Sequence, residues 1–155
     1  MAHPFNKRLW IMYRNVPLLV RLLAALRGVI CPWEKLFQPL VAQLTEKPLL
    51  LDIGCGVGAW LNALSDAGLA TGIGTDIYMR PIDMANQVSQ MHQLGNEFYV
   101  ARDLNALPQH QAYVVSLIDV MHHIPPQMQE DFFTRVCAEV PAGGFMLYKD
   151  MSEKN

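Results

Sequence analysis

The sequence predicts an open α/β fold, a doubly wound and mostly parallel sheet with helices on both faces. Two observations carry this. Segment 49–54 (LLLDIG) is a short, continuously apolar run between Pro48 and a cluster of glycines, the pattern of a strand buried on both faces of a parallel sheet. After it, strand-like and helix-like segments alternate, which implies right-handed βαβ crossovers. Size agrees: 155 residues, 52% of them hydrophobic and 17% charged, suffice for one packed domain, are too few for two, and are too apolar for a disordered chain.

Taken in order, Asn15 and Pro17 signal a helix start, and the apolar run that follows stops near Gly28 and Pro32. A second helix is expected over 33–44, kinked or broken by Pro39. These two helices make residues 1–46 an N-terminal helical cap. Residues 47–155 form the core of what remains a single domain. The core reads as strand 49–53, helix 59–66, strand 71–76, helix 82–93, strand 97–101, strand 113–118, helix 126–139 and strand 144–149.

Charge and cysteine usage narrow the function classes. Twelve Lys plus Arg against fourteen Asp plus Glu give a net charge of −2, so the basic surface of a nucleic-acid-binding domain is not indicated. The balance is uneven along the chain. Lys7, Arg8, Arg14, Arg21 and Arg27 all precede the first acid, Glu34, giving +5 up to that point and −7 in the remainder. Cys31, Cys55 and Cys137 show no CxxC spacing, so neither a disulfide framework nor a metal site is signalled. Arg21 and Arg27 interrupt the apolar run 16–30, and no stretch of 18 apolar residues exists. A reducing cytoplasm is the expected compartment.

The stretch with most chemical content is 49–60, LLLDIGCGVGAW. A strand that runs into Gly54, Gly56 and Gly58 lets backbone pass close to a ligand, since glycine has no Cβ to obstruct it. In open α/β sheets ligands bind beyond the carboxyl ends of the strands, where this turn falls. The residues alone leave two cofactor classes open. Gly54, Gly56 and Ala59 also satisfy the GxGxxG/A pattern of dinucleotide binding, and Asp76 follows Gly54 at close to the spacing of a ribose-binding acid.

The series of strand ends resembles the class I S-adenosylmethionine-dependent methyltransferases, in the form that acts on small molecules and lipids. Leu51-Asp52-Ile53-Gly54-Cys55-Gly56-Val57-Gly58 is similar to the first motif of that family, and Asp76 in GIGTDIYM to its second-strand acid. Asp103 and Leu104 in ARDLNAL match the third, SLIDVMHHIP at 116–125 the fourth, and Pro141-Ala142-Gly143-Gly144 the turn into the fifth strand. Five ordered matches across 49–150 are more specific than any one alone.

The resemblance implies a Rossmann-like methyltransferase sheet that binds S-adenosylmethionine through Asp52, Gly54, Cys55, Gly56, Asp76, Ile77, Asp103, Leu104 and Asp119. Asp52 would hold the cofactor's amino-acid end, Asp76 the ribose hydroxyls, Ile77 the adenine face, and Asp103 the adenine amino edge with Leu104 beside it. Two charge-assisted bonds from a ribose diol to Asp76 are stronger than neutral ones. Asp52, Asp76, Asp103 and Asp119 together would make the mouth negative, which suits a sulfonium and repels a pyrophosphate. Cys55 would act through its backbone, because no basic residue adjoins it to activate a thiolate.

Three features lie outside the cofactor motifs. Neighbouring side chains diverge on a regular element, so at most one of His122-His123 is expected to face the substrate; the leading reading is that one of them caps or packs beneath the turn at Pro125-Pro126, and His123 is the candidate should a general base be needed. The N-terminal helix is apolar nearly all round, which fits a lid whose arginines snorkel to water. The five cations of residues 1–33 also fit an interfacial helix on an anionic membrane, a peripheral contact that would bring the enzyme to a lipid-like acceptor. Finally, the family's sheet normally continues past the fifth strand with a helix and an antiparallel strand pair, and this chain stops at Asn155. The expected fold lacks that pair, leaving strand 144–149 as an apolar edge for the N-terminal helices or a second subunit of a homo-oligomer to cover. Besides methyl transfer to a small or lipid-like acceptor, an NAD-type oxidoreductase and an inactive cofactor-binding partner protein are the alternatives.

Overall fold

The computed structural model describes residues 5–151 apart from 32, 45 and 109, with the backbone alone at Trp33 and Glu34. In chain order its elements are α1 (Phe5–Met12), α2 (Leu18–Ile30), α3 (Trp33–Val41), β1 (Leu49–Ile53), α4 (Ala59–Asp66), β2 (Thr71–Asp76), α5 (Met79–Met91), β3 (Glu97–Val100), β4 (Val114–Ile118), α6 (Pro126–Ala138) and β5 (Phe145–Lys149). Short 3-10 turns at Leu104–Ala106 and Met121–His123 follow β3 and β4.

The five strands form one sheet in the order β3-β2-β1-β4-β5, and every neighbouring pair is parallel. Strand order reverses between β1 and β4, so their carboxyl ends form the switch point at which such sheets bind ligands. Register places Asp52 opposite Ser116 and Ile53 opposite Leu117 across that point.

Alternation along β1 divides the core into two layers. Leu50 joins Phe5, Leu9, Tyr13, Phe37, Leu61, Leu64 and Ala85 in a cluster under α1, α3, α4 and α5. Leu51 and Ile53 join Val115, Leu117, Met121 and Val136 under α6. The N-terminal helices therefore share one continuous hydrophobic cluster with the sheet's first face.

Three helices precede the sheet where two were expected, and Pro32, read as a stop signal, lies outside the described residues. The unexpected one, α1, has no capping residue to announce it; Phe5, Leu9 and Met12 recur at helical spacing, and their burial holds it in place. Helix α5 begins at Met79, ahead of the predicted start at 82, because Pro81 falls in its first turn where the missing N–H costs nothing. Pro39 is accommodated inside α3, which ends at Val41 instead of continuing to 44. Edge strand β5 leaves Phe145, Met146 and Leu147 half-buried, and Tyr148 packs edge-on against Phe133 at 5.3 Å.

A buried polar network ties the first layer to the glycine turn. Asn62 Nδ2 donates to Tyr13 Oη (3.2 Å) and to the Ala85 carbonyl (3.3 Å), while Asn96 Nδ2 donates to Asn62 Oδ1 (2.9 Å). Asn96 Oδ1 in turn accepts from Ser65 Oγ and from the Gly72 N–H. Tyr13 Oη donates to the Val57 carbonyl at 2.7 Å, so the chain leaving α1 pins the loop between β1 and α4. Burial pushes the Tyr13 phenol well above its ordinary range and keeps it a donor at all ordinary pH. Because Tyr13, Asn62 and Asn96 are buried, Asn62→Leu is expected to cost about 2–4 kcal/mol by stranding Asn96 and Tyr13, measured as a shift in the urea midpoint.

Candidate active site

The end of β1 meets the start of α4 through residues 54–58, and the turn is anchored on β2. The N–H groups of Gly54 and Cys55 both donate to the Thr75 carbonyl, at 2.8 and 2.9 Å. The Gly56 N–H donates to Asp76 Oδ2 at 2.9 Å, and Asp76 Oδ1 accepts from the Tyr78 N–H at 3.1 Å. Asp76 thus braces the glycine turn from the tip of β2 and keeps free lone pairs for a ligand, since a carboxylate accepts about four hydrogen bonds.

The glycines of the turn serve different ends. All three have positive φ, but a Cβ on Gly54 would lie 2.4 Å from Val120, and one on Gly58 would collide with Phe98 and Ala85. Those two are demanded by packing. A Cβ on Gly56 would meet nothing within 4 Å, so this backbone borders open space.

That space is a cavity of about 250 Å³. Asp52, the glycine turn and Ile118 line it from the sheet, Trp60 and Pro81 from the flanking helices, and Val20, Leu23, Ala24 and Arg27 from α2. Asp52 is only 3% exposed, and the Ser116 hydroxyl donates to its Oδ1 at 2.6 Å. Burial pushes its carboxyl up to about 7, against the Ser116 bond and the Arg27 guanidinium, which favour the charged form, and with a smaller push from Asp76. The Cys55 thiol is raised by burial and by both acids, so it is a poor nucleophile, as its sequence context suggested.

Of the residues expected at the site, Asp52, Gly54, Cys55 and Gly56 line the cavity, and Asp76 touches it through Gly56. Ile77 stands half-exposed beside Asp76. Asp103, Leu104 and Asp119 are not part of the cavity wall. Asp103 caps the turn 104–106 and pairs with Arg135 of α6; the Asn105 N–H and then Arg135 hold its carboxyl below the usual range. Leu104 packs into the second core layer. Asp119, in the left-handed region at φ 56°, pairs with Lys149 at the end of β5.

The expectation of a mouth made negative by four acids is therefore corrected. Two of them carry their own counter-ions, and a third shares its cavity with Arg27. The sequence places the acids at strand ends but holds no signal that Arg135 of α6 and Lys149 of β5 return to meet them. Arg27 also went unrecognised as a wall of the site; the two arginines that interrupt the apolar VRLLAALRGVI were the one available signal.

The histidines also differ from expectation. They sit in the 3-10 turn Met121–His123, so their rings do not diverge but lie 3.9 Å apart, tilted against each other. Among the described residues it is His122 that has an orienting partner: its Nδ1 is hydrogen-bonded to Asp150 Oδ1 at 2.7 Å, while Asp150 Oδ2 accepts from the Met121 N–H. Burial acts to raise the Asp150 carboxyl, but the bonds from His122, Met151 and Met121 outweigh it and hold it low. Neither histidine lines the cavity, and the bonds from His122 and the Met121 N–H to Asp150 fasten the β4 turn to the end of β5.

A family model described as a methyltransferase domain matches residues 25–154. The chain belongs to the methyltransferase domain family. No curated protein matches it. Among solved structures, the methyltransferase domain is similar to the PH0226 protein of Pyrococcus horikoshii OT3, at 26% identity and a TM-score of 0.59, over 73% of this chain and 55% of that one. It is also similar in fold to an O-methyltransferase family protein of Burkholderia thailandensis, at 20% identity and a TM-score of 0.59, over 91% of this chain and 44% of that one. PKMT2 of Rickettsia typhi, solved in complex with AdoHcy, shares the fold at 19% identity and a TM-score of 0.52, over 63% of this chain and 20% of that one. The chain thus spans about half the length of the first two structures it matches and a fifth of the third.

Proposed function

We propose that this methyltransferase domain binds S-adenosylmethionine across the ends of β1 and β2 and transfers its methyl group to a small or lipid-like acceptor. The observation that carries the reading is the cavity at the switch point, lined under α2 by a buried carboxyl group and by the open backbone of Gly56. The residues suit the cofactor. Asp52 offers a carboxylate to the ammonium of its amino-acid end, Gly56 leaves room for it, and Asp76 keeps acceptor capacity for a ribose diol just outside. Ile77 offers an apolar face for a base.

When bound, the cofactor supplies an electrophilic methyl on sulfur. The protein's part is to position the acceptor and exclude water, which can supply much of the acceleration of a bimolecular displacement. Val20, Leu23 and Arg27 of α2 form the wall against which an acceptor would be held.

Thermal unfolding with S-adenosylhomocysteine or NAD tests the reading directly. S-adenosylhomocysteine at a hundred times its dissociation constant is expected to stabilise the fold by about 2.7 kcal/mol, and NAD not at all. Stabilisation by NAD alone would replace this reading with the oxidoreductase one.

A further inference from the structure

Helix α2 is oriented in an unusual way for an apolar helix: of its thirteen residues only Ala24 is buried. Leu18, Leu19, Val29 and Ile30 are between 62% and 68% exposed, and Leu22, Leu23 and Leu26 about half exposed. At 3.6 residues per turn these seven side chains fall within one arc of about 140°, with no polar residue among them. Such a stripe exposes on the order of several hundred Å² of apolar surface, a size that marks an interaction site on a soluble protein. Arginines border it on both sides, Arg27 about 40° beyond Leu23 and Arg21 about 60° beyond Leu18. The Arg21 guanidinium lies 3.8 Å over the Trp10 ring and donates to the Trp10 carbonyl, which sets an indole at that border.

We propose that the outward face of α2 is a docking surface for an anionic lipid membrane. Charge complementarity selects this occupant. The chain carries no Asp or Glu before Glu34, while Lys7, Arg14 and Arg27 are exposed and Arg21 is half-exposed. A second copy of the chain docked here would set arginine against arginine with no acid on α1 or α2 to answer it, whereas acidic headgroups answer all of them. Aliphatic side chains immersed at the headgroup boundary, with arginines and a tryptophan along the edge, match the requirements of an interfacial helix. Thirteen residues span about 20 Å, short of the roughly 30 Å hydrocarbon core, so α2 lies in the surface and does not cross it.

The surface is continuous with the cavity. Leu23 and Arg27 belong both to the stripe or its border and to the cavity wall. Docking through α2 would set the mouth of the cavity at the headgroup level, where an acceptor with an apolar tail resides. The docking itself requires no cofactor, so its failure and the failure of the methyl-transfer reading are separable.

Co-sedimentation of the full chain with vesicles tests this. Binding is expected to vesicles of phosphatidylcholine containing phosphatidylglycerol, to weaken as salt is raised, and to be far weaker on phosphatidylcholine alone. The double substitution Leu19→Glu, Leu22→Glu, at exposed positions away from the cavity, is expected to lower the partition coefficient by more than about tenfold while the thermal shift with S-adenosylhomocysteine is kept. Equal binding to both vesicle types, or unchanged binding of the double variant, would overturn the proposal. So would a dimer in sedimentation velocity that the double variant converts to monomer, since a second copy would then be the occupant.

Discussion

Asp76→Asn is expected to weaken S-adenosylhomocysteine binding by about two orders of magnitude, and Asp119→Asn by less than about threefold. Both residues are acids at strand ends, and both fit the family's motifs equally well by sequence. Their surroundings separate them. Asp76 accepts from the Gly56 and Tyr78 N–H groups, so it shapes the glycine turn while presenting charge to the place where a ribose would lie. An asparagine there must turn its amide nitrogen toward one of those N–H groups, which breaks a bond in the turn, and it gives up the charge that strengthens bonds from a diol. Two charge-assisted bonds at about 1.5–3 kcal/mol each account for a loss of that size. Asp119 is committed to Lys149, and its loss should appear in stability, as an unpaired lysine at the end of β5. Isothermal titration calorimetry on the two variants decides the matter. Equal losses of affinity would mean that Asp119 reaches the ligand despite its ion pair, and an unaffected Asp76 variant would remove the ribose from this end of β2.

The contrast between these two acids shows where sequence reading stops. Strands β1, β2 and β4 and the turn after β1 were legible because their signals are local: a continuous apolar run, a change of periodicity, and glycines on alternate positions. The positions of Asp52 and Gly56 at the switch point followed from that order. What was not legible depends on contacts between residues far apart in the chain. Arg135 on Asp103, Lys149 on Asp119 and Asp150 on His122 each reach a partner on a different element, with at least one helix or strand between them, and no periodicity encodes them. Tyr13 and Asn62, on opposite sides of β1 in the chain, read as unremarkable polar positions until the fold buries them together. Helix α2 is instructive for the opposite reason. Its composition was plain, but a helix apolar on most sides does not announce which side faces the protein, and the structure turns its small residue Ala24 inward and its leucines out.

The second large effect concerns Asp52 and pH. Its carboxyl titrates near 7 in the folded protein and near 3.8 in a free chain. Between those values the folded state holds a proton that the unfolded state has released, so the unliganded protein loses stability as pH rises through this window. Asp52→Asn removes the titration. The variant is therefore expected to match the parent at low pH and to exceed it above pH 7, by about 4 kcal/mol. Cofactor affinity should run the other way. The ammonium of the cofactor needs the charged carboxylate, so binding by the parent strengthens as pH rises toward and past 7, while Asp52→Asn binds weakly at every pH. Arg27 provides the internal control, because its guanidinium favours the charged form of Asp52. Arg27→Gln should move the midpoint of the affinity profile to higher pH, as a change in the wall's packing alone would not. Titrations of S-adenosylhomocysteine across this pH range read both effects, and a parent profile that is flat from pH 5 to pH 8 would show that Asp52 is already ionised and that its burial is relieved in solution.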